Sequence, residues 1–289
     1  MKLYPIDCEK RLWNTKVSRG FISGQWGGSM QASFPPIGKD KLPQHGLNDF
    51  MYLSDEFHPA APRRPGAPGV WIDESAGNVD WEGIKRVFSK VQADPALWTY
   101  QGQYELRHAR SLTREEWDAM APSVRNTWAK KICGSGWGTG MRIKIYALNK
   151  YGKLPTEAQC EEIKARKLYE SIQEPQLQLA LKRGDELMAL YTMKCVGYDK
   201  VFAEQVAAKW ATWTPPPQKS RGKRKDNPTD SKVDRPTKRR KVKVEDDGHG
   251  LASEDEEDDI GEADTEIKIK VEEIVYTPRG MKSRPRNAG

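Results

Sequence analysis

The sequence is short of the residues that build metal sites and nucleophilic sites. It has four cysteines, none spaced as Cys-x-x-Cys, and four histidines, of which only His45, His58 and His108 precede residue 216. A structural zinc site needs four close-set ligands, and a catalytic cysteine needs a neighbouring histidine. We therefore predict no metal site, no cofactor and no cysteine-based catalytic centre.

Long apolar runs are also missing. No stretch approaches the roughly 20 apolar residues that span a bilayer. Charged residues follow the first five residues, where a signal peptide would carry its apolar region. We expect no membrane partner, and scattered cysteines without such a signal are typical of an intracellular, reducing compartment.

Aromatic residues are scarce in the last quarter of the chain. All ten tryptophans lie between Trp13 and Trp213, whereas residues 218–289 contain Tyr276 as their single aromatic. A segment so poor in apolar groups cannot offset the entropy cost of ordering. We therefore predict an irregular N-terminal segment, 1–60, partly docked on a folded domain, 61–215, which is followed by a disordered charged tail, 216–289.

Charge is segregated into blocks within this tail. Residues 218–243 carry twelve Lys or Arg against three Asp, residues 244–273 carry fourteen acidic residues against two Lys, and the last sixteen residues carry four basic ones. These blocks nearly cancel, so residues 1–217 carry about +6 of the formal net charge of +7. The folded region is therefore moderately basic rather than a polycation.

The clearest local pattern is a β-hairpin with an aromatic face. Residues 87–91 and 98–106 read as strands on either side of a loop that contains Asp94-Pro95. The second strand alternates, which predicts that Trp98, Tyr100, Tyr104 and Leu106 share one face. More often than not such a face belongs to a domain core, although exposed aromatic rings also stack on nucleic-acid bases.

Helices are predicted on both sides of a later strand. Thr113 and Glu116 have capping-box spacing, a helix opens at Pro122 and ends at Gly134, and Asp199 caps a final helix. Residues 141–151 favour a helix although part of the run alternates like a strand, 156–172 read as one long helix, and 187–196 read as a strand. The order predicts an α+β fold, a small mixed domain with an aromatic hairpin and several helices.

Several motifs resemble a domain of unknown function that recurs in mushroom-forming basidiomycete fungi. They are WTYQGQYEL at 98–106, LTREEW at 112–117, WAKKI at 128–132 and MKCVGYD at 193–199, in this order. The resemblance covers roughly residues 60–213 and implies no activity or catalytic residue. The hairpin alone also resembles small β-barrel readers of modified bases, of the SRA and PUA type, in which an aromatic-x-Gly-x-Tyr strand follows a Val-Phe strand.

The basic part of the tail has the pattern of a bipartite nuclear localisation signal. Two clusters are separated by twelve residues rich in Pro, Asp and Ser. An extended chain can offer such clusters to two acidic grooves of a nuclear import receptor, which predicts a location in the nucleus. The alternative is a solvating or nonspecifically nucleic-acid-binding charge run. The clusters consist of Lys223, Arg224, Lys225, Lys238, Arg239, Arg240 and Lys241.

Three tail residues are candidates for modification. Lys243 and Lys270 each lie in the pattern of an apolar residue, Lys, any residue and an acid, which resembles a SUMO acceptor. Ser253 is followed by three acidic residues, as in substrates of acid-directed kinases, and a phosphate there would deepen the negative block. Alternatively, the acidic block only shields the basic one from nonspecific contacts.

These features favour a non-enzymatic nuclear module that engages nucleic acid or chromatin. The expected partners are the import receptor, DNA or RNA, and chromatin proteins. Bases would stack on the hairpin aromatics, and helix cations would contact phosphates, so that binding weakens steeply with salt. The candidate contact residues are Trp98, Tyr100, Tyr104, Arg125, Lys130 and Lys131.

Two other functions stay open. The first is a protein-interaction adaptor whose tail serves only import and modification. The second is an atypical enzyme acting on nucleic acid, with Lys194 after the 187–193 segment, but the position two residues before Lys194 is Thr192 where a nuclease would carry an acid. An open, base-sized pocket inside the hairpin's sheet would favour nucleic acid, and a filled interior would favour the adaptor.

Overall fold

A computed structural model of the chain describes residues 1–74 and 83–215. The predicted import clusters, Lys243, Ser253 and Lys270 lie outside the described residues. Within the described residues, no helix is both long and apolar enough to cross a membrane.

The centre of the fold is a curled sheet. Its strand order is β2-β4-β5-β6-β3, and the short β1 pairs with β5 beside this path. The β2–β4 pair is parallel and the other pairs are antiparallel. The strands are β1 (Lys16–Val17), β2 (Phe50–Leu53), β3 (Gly69–Asp73), β4 (Gly83–Gln92), β5 (Leu97–Ser111) and β6 (Ala189–Gly197).

Helices cover the outer face of this sheet in two groups. Val70, Ile72 and Leu190 of β3 and β6 pack against α4, α5, α6 and α8. Phe50 of β2, Phe88 of β4, and Trp98 and Tyr100 of β5 pack against α2 and α9. The helices are α1 (Lys10–Trp13), α2 (Arg19–Trp26), α3 (Leu42–His45), α4 (Arg114–Ala119), α5 (Pro122–Gly134), α6 (Thr139–Tyr151), α7 (Glu157–Ala165), α8 (Glu174–Arg183) and α9 (Lys200–Ala211).

The inner face of the sheet is filled by a single core. Met51 on the β2 edge and Trp71 on the β3 edge belong to the same buried cluster, although these strands are at opposite ends of the strand order. Residues from the strands between them, including Val87, Tyr104 and Tyr191, complete this cluster. The sheet therefore curls around its own side chains, and dispersion and apolar burial hold the two edges together.

The predicted hairpin is confirmed as the antiparallel β4–β5 pair, but its aromatic residues do not share one face. The register pairs Val87 with Gly102 and Phe88 with Tyr100, so β5 carries an extra residue at Gln101. A β-bulge reverses the alternation beyond it. Tyr100 consequently packs in the outer core with α9, and Tyr104 packs in the inner core.

Most predicted helices are confirmed, and one is corrected. The capping box of α4 has both its bonds, from Glu116 N to Thr113 Oγ1 at 3.2 Å and from Thr113 N to the Glu116 carboxylate at 2.9 Å. The 141–151 segment is helical, within α6. The single helix predicted over 156–172 is wrong, because α7 ends at Ala165 and Lys167 adopts a left-handed φ of 53° before a short 3₁₀ turn. The α+β prediction is confirmed.

The first 53 residues supply strands as well as loops. β2 pairs with β4, and Arg19 at the start of α2 fixes the following loop by donating to the carbonyls of Ser29 (2.6 Å) and Ala32 (3.0 Å). The Arg19 guanidinium lies 3.5 Å from the ring centroid of Tyr52, and burial lowers the pKa of this arginine to about 10. The N-terminal segment thereby places α2 and α3 beside α9.

Candidate functional site

The predicted stacking residues lie in the interior. Trp98, Tyr100 and Tyr104 are only 9%, 3% and 0% exposed. The Tyr100 ring contacts Phe88 and Phe202, and the Tyr104 hydroxyl donates to the Ala67 carbonyl at 2.8 Å. In this arrangement none of the three rings offers a free face to a base, because other side chains already cover it.

The predicted cations lie on a different layer, along α5. Arg125 pairs with Asp118 at 2.9 Å, and Lys182 of α8 approaches the same carboxylate at 3.6 Å. Lys130 is exposed and Lys131 is half-buried, and neither makes an ion pair within the described residues. The structure therefore does not bring the predicted aromatic and basic residues together into one site.

An open cleft of about 540 Å³ lies where α2, the α3 segment and α9 meet. We call it the α9 cleft, because α9 contributes one complete wall. Sequence patterns did not indicate it. Its lining residues are Gln25, Trp26, Gln44, His45, Leu47, Asp199, Val201, Phe202, Gln205 and Lys209.

The floor of the α9 cleft is aromatic. The rings of Trp26 and Phe202 lie 5.2 Å apart, and both residues are buried. Lys209, two turns along α9 from Phe202, holds its ammonium 5.1 Å from the Trp26 ring centroid. Val201 at the other end is 63% exposed, more than any other large apolar side chain of the described residues. Because Trp26 and Phe202 are only 2% and 3% exposed, the groups of these four residues that the cleft leaves uncovered are the Lys209 ammonium and the Val201 side chain.

His45 fixes the wall opposite α9. Its Nδ1 accepts a hydrogen bond from the backbone N–H of Leu47 at 2.9 Å, so the ring proton is on Nε2. Nε2 then donates to the Trp26 carbonyl at 3.0 Å. Both ring nitrogens are used, and the α3 segment is tied to the end of α2. His45 is therefore a structural residue of the cleft rather than a base available for catalysis.

Asp199 fixes the base of the α9 wall. Its Oδ1 accepts from the Phe202 N–H at 2.9 Å, which caps α9, and its Oδ2 accepts from Arg86 Nη1 at 3.0 Å. Arg86 is 2% exposed and also donates to Asp49 at 3.2 Å. The charge of the buried Arg86 guanidinium is balanced by these two partly exposed carboxylates. The ion pairs therefore hold the start of α9 against β4.

The rim of the cleft is polar and mostly uncharged. The side-chain amides of Gln25 and Gln205 make no hydrogen bond within the described residues, whereas Gln44 donates to the Asp40 carbonyl at 2.9 Å. Each free amide can donate and accept, as the backbone of an extended peptide requires. A site with an apolar floor and convergent polar groups is typical of ligand recognition.

The α9 cleft contains one histidine, and both nitrogens of its ring are hydrogen-bonded within the fold. The cleft has no cysteine or serine, and His45 is fully hydrogen-bonded. In the described ranges, no three His, Cys, Asp or Glu residues lie close enough together to hold a metal ion. Lys194 is exposed on β6, where its register partner is Glu105, away from the cleft.

Three further polar atoms are buried without partners around the inner core. They are His58 Nδ1, Asp73 Oδ2 and His108 Nε2. Burial lowers the pKa of His58 to about 3 and raises the pKa of Asp73, and burial with the neighbouring Asp73 raises the pKa of Glu74 to about 8. Because their pKa values are shifted by burial, His58, Asp73 and Glu74 make the stability of the fold depend on pH.

Comparison with known proteins gives a family without a function. The model of a family described as a domain of unknown function, DUF6697, matches residues 16–209. Neither a curated protein nor a solved structure matches the chain.

Proposed function

The chain belongs to the DUF6697 family of domains of unknown function, and we propose that it is a non-enzymatic nuclear adaptor whose α9 cleft binds a short, extended segment of a protein partner. The observation that carries the proposal is the composition of the cleft. Exposed Val201 would contact an apolar side chain of the partner, and the free amides of Gln25 and Gln205 would bind a peptide backbone above the buried Trp26–Phe202 pair.

The filled interior of the sheet supports an adaptor over a base reader. Tyr104 and Tyr191, which are 0% and 1% exposed, occupy the space on the inner face that a base would need. Of the described residues lining the cleft, Lys209 is the only lysine or arginine. Binding to a phosphate backbone draws on several cations at once, so the cleft suits a peptide better than a nucleic acid.

A peptide selection tests this proposal. A phage-displayed library of random peptides is selected for binding to the immobilised full chain, and the dissociation constants of the selected peptides are measured. Val201→Asp should raise these dissociation constants at least tenfold, because the introduced charge would lie against apolar side chains of the peptide. Leu154→Asp is the matched control, since Leu154 is 59% exposed and is not part of the cleft. Peptides that bind both variants equally would refute the assignment.

Nucleic-acid association is the second candidate function, and the α5 surface favours it. Lys130 and Lys131 have no carboxylate partner in the described residues, and the tail adds twelve basic residues over 218–243. Titration of labelled duplex and single-stranded DNA across a salt series tests it. Replacing both lysines by alanine should reduce the salt slope by about 1 per lost phosphate contact. The same change at Lys153 and Lys164 is the control, and absence of binding at low salt would exclude this function.

The nuclear location rests on the two basic clusters of the tail. A fluorescent fusion should accumulate in nuclei and become evenly distributed when residues 223–225 and 238–241 are replaced by alanine. A fusion that stays outside the nucleus with both clusters intact would contradict the proposal. Modification of Lys243, Lys270 and Ser253, chromatin partners, a fungal origin and the likeness to base readers stay predictions. An enzymatic activity on nucleic acid stays an alternative.

A further inference from the structure

We infer that residues 272–276 of this chain, Glu-Glu-Ile-Val-Tyr, occupy its own α9 cleft and compete there with the partner. The inference rests on the proposed function, because it takes the same cleft to be a peptide site. It adds a specific occupant and a regulatory consequence.

The tail is nearly devoid of apolar runs except at this segment. After residue 217, Ile274-Val275-Tyr276 is the only run of three consecutive apolar residues, and it contains the only aromatic. Glu272 and Glu273 precede it directly. Short docking motifs consist of a few apolar anchors beside charges, which is the composition of residues 272–276.

The α9 cleft has the complementary groups. Exposed Val201 can contact an apolar side chain of this segment. Lys209 is exposed at the far end of the cleft and makes no ion pair within the described residues, so it can meet the two glutamates. If the segment runs antiparallel to α9, its two glutamates lie near Lys209 and its apolar residues lie near Val201.

Chain connectivity makes this encounter favourable. From Phe202 to the end of α9 at Ala211 the helix advances about 14 Å, at about 1.5 Å per residue. The tail follows this end in the sequence, and a flexible linker of the length of residues 216–271 has a root-mean-square span of about 40 Å, at about 5–6 Å per square root of residue number. A linker that exceeds the required span gives an effective concentration near the millimolar range. A dissociation constant of about 100 μM then suffices for the cleft to be about 90% occupied.

The consequence is self-competition. With about nine tenths of the cleft occupied, an added peptide binds about tenfold more weakly than it would bind to an empty cleft. A partner must therefore bring either higher affinity or a high local concentration. The tail would thus regulate binding as well as direct import.

Hydrogen exchange and peptide titration on the full chain test the inference. Ile274, Val275 and Tyr276 are replaced together by serine. The control replaces Ile267, Ile269 and Val271 by serine, which removes as many apolar residues from the same tail. We expect faster exchange over 199–209, by up to about tenfold, and about tenfold tighter binding of a synthetic peptide of residues 270–280, in the first variant only. Unchanged exchange and unchanged peptide affinity would overturn the inference.

Two further measurements identify the occupant. Dilution of the unmodified chain tenfold should leave the protection over 199–209 unchanged, and loss of protection would instead indicate the tail of a second copy, which overturns an intramolecular contact. Phage-selected peptides that still depend on Val201, with no effect of the serine variant, would disprove self-competition while leaving the adaptor proposal intact.

Discussion

Arg86 Nη1 lies 3.0 Å from Asp199 Oδ2, although 113 residues separate the two in the chain. The same carboxylate caps α9 through the Phe202 N–H. One side chain thus joins the middle of the sheet to the start of the helix that forms a wall of the α9 cleft. The position of the cleft therefore depends on this contact.

Asp199→Ala should destabilise the protein by about 2–4 kcal/mol. The loss combines a helix cap worth about 1 kcal/mol with a guanidinium that keeps only Asp49 as its partner. Asp199→Asn should cost about half as much, since it keeps the cap. Urea unfolding measures both variants. Asp118→Ala, which breaks ion pairs of exposed side chains, is the control and should cost less than about 1 kcal/mol. Equal losses for Asp199→Ala and the control would contradict the role of Asp199.

Gly102→Ala should destabilise the fold by about 2 kcal/mol or more, because the bulge holds this residue in a left-handed region. Its φ is 125°, and an added Cβ would lie 2.9 Å from the Gly197 carbonyl oxygen. Gly24→Ala is the matched control. Gly24 lies within α2, with no atom within 4 Å of an added Cβ, so alanine should stabilise by about 0.5–1 kcal/mol. Thermal unfolding of the two variants should therefore shift in opposite directions.

His58 should make the protein sensitive to acid. Its pKa is about 3 in the folded state and 6.5 in the unfolded state, so only the unfolded chain takes up a proton between these values. His58 therefore costs no stability above about pH 6.5. As the pH approaches 3, the free energy of unfolding falls by up to about 4 kcal/mol. His58→Phe, in a site formed by Phe57, Trp71 and Trp128, should remove this contribution. If the free energy of unfolding changed with pH in the same way in both proteins, this role of His58 would be refuted.

Asp73 should act in the opposite direction. Burial raises its pKa above the unfolded value, so the folded state takes up the proton first as the pH falls. The charged carboxylate therefore costs stability at neutral pH, and this cost disappears near pH 4 and below. Asp73→Asn should stabilise the protein at pH 7 by about 1 kcal/mol and have little effect at pH 4. Urea titrations at the two pH values measure the difference, and a gain that is equal at both would argue against a charge effect.

Local patterns predicted the elements that short-range physics decides. The capping box at Thr113, the Asp199 cap and the 141–151 helix follow from neighbours within four residues, and all three are confirmed. The break after Ala165 was missed, since Lys167 adopts a left-handed φ without a glycine or proline to signal it.

Tertiary features were not predictable in the same way. An inserted residue at Gln101 leaves the strand's alternation looking continuous, so the reversal of its faces is visible only in the pairing with β4. The α9 cleft combines α9 with Gln25 and Gln44 from a segment without periodicity. Only the apolar Val201 beside the Asp199 cap gave a local signal, because it does not fit the buried face of the helix.

The most direct test of the α9 cleft is a crystal structure of the full chain with a phage-selected peptide. We predict an extended peptide that places an apolar side chain against Val201 and whose backbone forms hydrogen bonds with Gln25 and Gln205. Density for the peptide on any other surface, with the cleft unchanged, would contradict the account.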